Sequence, residues 1–167
     1  MNGSENAFTL FFQAPPFSNS ITPVAELSFT EGQKEQIVGA IREAEKNTSG
    51  EVKVHIESKC SAPQVMDRAK EVFFKLGLDK TKLRNGVLFY VALDDHKFAV
   101  LGDAGIDAVV PANFWDSTKE MLREYFRAGK ITEGLCAGIA MAGQQLKSHF
   151  PYASDDVNEL PDDISFH

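Results

Sequence analysis

Residues Asn85 to Asp107 read NGVLFYVALDDHKFAVLGDAGID, and the fold turns on how this stretch divides. Val87 to Leu93 is an unbroken apolar run rich in β-branched and aromatic residues, which suits a strand buried on both faces better than one with a wet side. Turn-prone Asp94, Asp95 and His96 interrupt it, and Lys97 to Leu101 resumes an extended pattern. A hairpin returning antiparallel is the economical reading. A glycine-punctuated acidic loop, Gly102 to Asp107, follows.

Working outward, Glu51 to Glu57 alternates, with Val52, Val54 and Ile56 on one face and Lys53, His55 and Glu57 on the other. That pattern predicts a strand with one solvated or partly covered face, and makes His55 a surface histidine. Between the two strands, Pro63 stands where a helix would start and Gly77 where it would stop, with Val65, Ala69, Val72, Phe73 and Leu76 lining one side. Strand, helix, loop 78–84 and strand make a βαβ unit, so the two strands run parallel with a right-handed crossover. Upstream, Thr30 and Gln33 match a capping box opening a helix to about Lys46, which buries Ile37, Ile41 and Ala44 and ends in the Asn47 to Gly50 turn. Downstream, Ile106 to Val110 reads as a short helical turn and Asn113 to Arg127 as a helix closed by Gly129, with Phe114 and Trp115 as core anchors. Thr132 caps a last helix to about His149, whose Leu135, Ile139, Ala142 and Leu146 face inward while Gly134, Gly138 and Gly143 permit close packing.

With 167 residues and 43% hydrophobic content, the chain supports one good core. We divide it into a tail or non-native added segment at 1–27, an α/β domain at 28–150, and an acidic C-terminal tail at 151–167. The first segment carries Pro15, Pro16 and Pro23 among Phe8, Phe11, Phe12 and Phe17. Such aromatics favour docking, as an added edge strand or a groove-filling peptide. The last has two readings, a disordered tail or a segment crossing the body through Leu160, Ile164 and Phe166. A net charge of −7 without a basic stripe argues against nucleic acid as a partner. Cys60 and Cys136 lie far apart with no metal-spaced neighbours and read as free thiols. No window reaches the ~18 apolar residues of a membrane span. The first 33 residues hold no Lys or Arg, so a secretory signal lacks its charged start. A cytoplasmic protein, or a mature form whose targeting segment is absent, is expected.

Short motifs then carry a family resemblance: Ser49-Gly50 before a strand, Asn85-Gly86-Val87-Leu88 opening the buried strand, and Ala92-Leu93-Asp94-Asp95 ending it. Gly102-x-x-Gly105 and Gly129-Lys130-x-x-x-Gly134-Leu135 complete the set. Together they resemble the TPM domain family over about residues 28–150. The resemblance implies a three-layer α/β/α sandwich on a short mixed sheet. It also implies activities ascribed to some members, acid-phosphatase-like hydrolysis and divalent cation binding, while others act in photosynthetic repair or at membranes. Many relatives carry an aromatic residue and then Glu in the loop that here reads Gly102 to Asp107. In this chain Asp103 replaces the aromatic, and Asp107 stands nearest the Glu, shifted by one.

The buried strand spans about 26 Å at roughly 3.3 Å per residue, so Asp94 and Asp95 at its far end cannot share a ligand with Asp103 and Asp107. Three loops meet at the near edge: Thr48-Ser49-Gly50, Arg84-Asn85-Gly86, and Gly102 to Asp107. Asp103, Asp107 and Asn85 suit calcium or magnesium, with Asp94 and Asp95 as second choice. Gly50, Arg84, Gly102 and Gly105 are candidates for phosphate or another anion. The same residues also have a purely structural reading as caps and turns. No nucleophile elbow, Walker loop or dinucleotide fingerprint is present. The sequence therefore predicts a divalent-cation-binding module with, at most, weak phosphatase-like activity. The alternative is a non-catalytic module that binds a protein or membrane-associated partner through its flanking segments.

Overall fold

The computed structural model describes residues 23–167. The expectations for Phe8, Phe11, Phe12 and Phe17 fall outside the described residues. Strand β1 (Glu51–Glu57) is followed by α2 (Val65–Lys75), β2 (Gly86–Ala92), β3 (Lys97–Gly102), the single turn α3 (Ala104–Asp107), α4 (Phe114–Arg127), α5 (Ile131–His149) and β4 (Ile164–Phe166), and helix α1 (Glu31–Glu45) precedes them. The sheet order is β3-β2-β1-β4, with β1 parallel to both β2 and β4 and β3 antiparallel to β2. Both the predicted crossover and the predicted hairpin are present. All seven residues of β2 are buried, as its apolar run requires.

One sheet face packs Val52, Val54, Ile56, Val87, Phe89 and Val91 against α1, α4 and α5. The opposite face packs Leu88, Tyr90 and Ala92 under α2. Two helical layers thus enclose a mixed sheet. The capping box forms in both directions, Gln33 N donating to Thr30 Oγ1 at 3.1 Å and Thr30 N to Gln33 Oε1 at 2.9 Å. Asn47, at φ 67°, makes the left-handed exit from α1. Gly134, Gly138 and Gly143 let α5 lie close on its neighbours: a Cβ at Gly143 would stand 2.8 Å from that of Ala44 on α1.

Two expectations are corrected. Thr132 does not cap α5; the helix begins at Ile131 after Lys130, and Thr132 is buried in its first turn. The second face of β1 is not solvated, because all seven of its residues are buried. Its polar side chains are covered by α2 and by residues 151–167, which take the second of the two readings and cross the body. Lys53 Nζ donates to Pro161 O at 2.9 Å and to Asp163 Oδ1 at 2.5 Å, and His167 N donates to Ile56 O at 3.1 Å. β4 completes the sheet edge beside β1 with only three residues, a short strand that leaves little unpaired backbone for another chain.

His55 is therefore not a surface residue. It is 5% exposed, with Nδ1 2.9 Å from Ser165 Oγ and Nε2 3.4 Å from Glu57 Oε2, and its ring stacks on Tyr90. Burial holds its pKa below the usual histidine value, although Glu57 acts in the opposite sense. Alternation alone left this face either solvated or partly covered, because the segment that buries it lies more than a hundred residues further along the chain.

Candidate functional site

The three near-edge loops do meet. Asn85 Nδ2 donates to Ser49 Oγ at 3.3 Å, Asp103 N to Gly86 O at 2.9 Å, and Gly105 N to Arg84 O at 2.8 Å. The candidate side chains, however, are already engaged with one another. Asp103 caps α3 by accepting from Ala104 N, and takes both arms of Arg84, Nε at 2.5 Å and Nη2 at 2.8 Å. That paired geometry uses the face of the guanidinium that a phosphate would need. Asp107 accepts from Trp115 Nε1 at 2.7 Å; burial and the Asp103 charge raise its pKa, against the pull of that hydrogen bond. Protein atoms fill the space beside the glycines. A Cβ on Gly102 would stand 2.5 Å from the Trp115 ring, one on Gly105 2.1 Å from Leu83 O, and one on Gly50 2.5 Å from Leu146. Asn85 is buried, and its Oδ1 has no partner. At the far end, Asp94 is exposed and Asp95 Oδ2 accepts from Cys60 N at 2.6 Å.

A second group of acids at the same edge was not singled out in the sequence. Glu45 ends α1, Glu51 opens β1, and Asp162 comes from the crossing C-terminal segment. All three line one cavity of about 380 Å³, together with Thr48, Ser49 and Gly50. Glu45 Oε1 accepts from Val52 N at 2.7 Å and Glu51 Oε1 from Glu159 N at 2.6 Å. Glu51 is 2% exposed and its Oε2 has no hydrogen-bond partner. Burial drives the Glu45 carboxyl far above the usual carboxylate range, helped by a hydrogen bond with Asp162 and by the charge of Glu51. Burial raises Glu51 as well, against the pull of the hydrogen bond it accepts from Glu159 N. Arg42 and Lys46 line the same cavity, but Glu45 and Glu51 are still shifted toward their protonated forms by burial. One sequence signal did point here: Glu45 places an acid at the negative end of a helix, where the dipole disfavours it.

A different polar group lies under α2. Glu57 accepts two hydrogen bonds from Arg68, Nε at 2.9 Å and Nη2 at 2.8 Å, and a short one from the Tyr90 hydroxyl. Burial pushes this carboxyl upward, yet Arg68, Tyr90 and His55 hold it at about 2. Every member is paired, and the group reads as a structural lock rather than a site.

Among the described residues, no group of three or more His, Cys, Asp or Glu side chains is preformed as a metal cage, and no helix is long and apolar enough to cross a membrane. The model of the family described as TPM domain matches residues 25–145. No curated protein matches the chain. Among solved structures, the NMR structure of BA42 protein from the psychrophilic bacterium Bizionia argentinensis is 45% identical, with a TM-score of 0.77, covering 90% of this chain and 100% of that one. The N-terminal domain of a P. gingivalis protein, at 20% identity, has a TM-score of 0.62 and covers 75% of this chain and 82% of that one. The N-terminal domain of cg2496 from Corynebacterium glutamicum, at 11% identity, has a TM-score of 0.61 and covers 88% and 92%. At those identities the last two speak for the fold alone.

Proposed function

Given that the chain belongs to the TPM domain family, we propose that it is a divalent-cation-binding module whose cation is held at the near edge by Glu45, Glu51 and Asp162. The single observation that carries this reading is the buried Glu51 carboxylate, whose Oε2 has no partner while two more acids line the same cavity. Asp103 and Asp107 are weaker ligands in this reading, because Arg84 and Trp115 already occupy them.

Calcium or magnesium suits an all-oxygen set of this kind, completed by backbone carbonyls and by the side-chain oxygens of Asn47 or Asn158, which line the same cavity. The cation draws the carboxylates inward from their present positions and competes with protons at Glu45 and Glu51, whose pKa values are raised. Because Asp162 belongs to the crossing segment, binding also fastens residues 151–167 to the body. Hydrolysis of a phosphate ester has less support, since Arg84 is committed to Asp103.

Titrating calcium and then magnesium while following amide NMR shifts tests the proposal. The expected response is centred on residues 45–52 and 156–162 and is lost in Glu51→Gln. A response centred on 102–107 would transfer the ligands to Asp103 and Asp107, and silence with both metals would end the cation reading.

A further inference from the structure

A cavity of about 580 Å³ opens at the carboxyl end of β2, between the β2–β3 turn, the end of α4 and the start of α5. Its floor is apolar, built on Val91, Leu93 and Ile131 and on the rings of Phe98 and Phe126, which meet edge to face with centroids 5.1 Å apart. Its remaining large side chains are His96, Lys97, Arg123 and Arg127, and among the described residues no carboxylate lines it. In a chain of net charge −7, a wall that carries Lys97, Arg123 and Arg127 without a carboxylate among its described residues is a local reversal of sign. Arg123 and Arg127 do pair with Glu120 and Glu124, but these are exposed contacts one helical turn apart. Such pairs hold their partners weakly and yield readily to another anion. Asp95, the nearest acid in sequence with a side-chain bond, is turned away to Cys60 N.

The geometry points to a binding site for a free amphiphilic anion, a small molecule with an apolar chain or ring on the floor and one carboxylate or phosphate head among Lys97, Arg123 and Arg127. The volume lies within the range of roughly 300–1,000 Å³ typical of small-molecule sites. The carboxyl end of parallel strands is also where open α/β sheets place their ligands. The site is remote from the near-edge acids and is independent of the cation reading. It contains neither Asp94 nor Asp95.

Titration of decanoate, decyl phosphate and decanol into the isotopically labelled full chain, below their micelle concentrations, tests the assignment. Both anions are expected to shift amides within residues 91–98 and 123–131, and decanol to bind about tenfold more weakly or worse, the loss of one charge-assisted contact. The variant R123Q/R127Q changes only exposed side chains and is expected to weaken decanoate by a similar factor while leaving decanol unchanged. Equal binding of decanol, or decanoate shifts outside these segments, overturns the proposal. So does a response to phosphatidylglycerol vesicles without one to monomeric decanoate, which would make the patch a membrane contact.

Discussion

Replacing Arg68 with alanine is expected to lower the unfolding free energy by about 3 kcal/mol, because it strands a buried carboxylate without its counter-charge. Glu57 is 1% exposed, and Arg68 supplies two of its hydrogen bonds. Glu57→Gln is expected to cost less, since Arg68 is the more exposed partner and keeps Glu71 as an acceptor. The double variant E57Q/R68M, which removes both charges, is expected to recover much of the loss of R68A. Urea unfolding of the four proteins checks the order. A loss in R68A of only a few tenths of a kcal/mol, the size of an exposed pair, would mean that water reaches Glu57.

The same carboxyl sets an acid limit. Its pKa, about 2 in the folded chain, lies below the unfolded value, so its contribution is present above the ordinary carboxylate range and lost as pH falls toward about 2. In R68A the folded pKa of Glu57 rises, so this contribution shrinks and the pH window over which it is lost narrows. Glu45 and Glu51 have the opposite sign. Their raised pKa values contribute stability that is present at acid pH and lost as pH rises above the carboxylate range.

The second large effect is expected from Gly105→Ala. Its Cβ would fall 2.1 Å from Leu83 O and 2.6 Å from Arg84 O, and backbone atoms tied by the Gly105 N to Arg84 O bond cannot swing aside as a side chain does. A cost of about 3 kcal/mol or more is expected, at the upper end for overpacking. Gly39→Ala is the control: it lies exposed in α1, a Cβ there meets nothing within 4 Å, and helix propensity predicts a gain of up to about 1 kcal/mol. Thermal unfolding of both variants separates space from propensity. If G105A is as stable as the parent, the close approach of the third loop to the second is wrong.

What was legible in the sequence was local or periodic. The apolar run of β2, the hairpin turn at Asp94 to His96, the capping box and the glycines of α5 each carry their information within a few residues, and the structure follows them. The second face of β1 was misread because Lys53, His55 and Glu57 look solvent-facing until partners from α2 and the C-terminal segment are supplied. Polarity in a sequence says only that a side chain needs a partner; it does not say whether the partner is water. The acidic cavity was missed for the same reason. Glu45 and Glu51 are six residues apart, but Asp162 comes from a tail whose path no local pattern fixes. The three loops at the near edge were placed correctly relative to one another, while the acids expected to be spare there proved to be the caps and partners of Arg84 and Trp115.

Calorimetric titration of calcium into the full chain at pH 6 and pH 8, in buffers of differing ionisation enthalpy, addresses the cation reading most directly. Cation binding at Glu45, Glu51 and Asp162 requires protons to leave carboxyls held above their usual range. Binding is expected to be tighter at pH 8 and to release measurable protons at pH 6, and both effects are expected to be lost in Glu51→Gln but not in Asp103→Asn. Binding that is independent of pH and survives Glu51→Gln would contradict it.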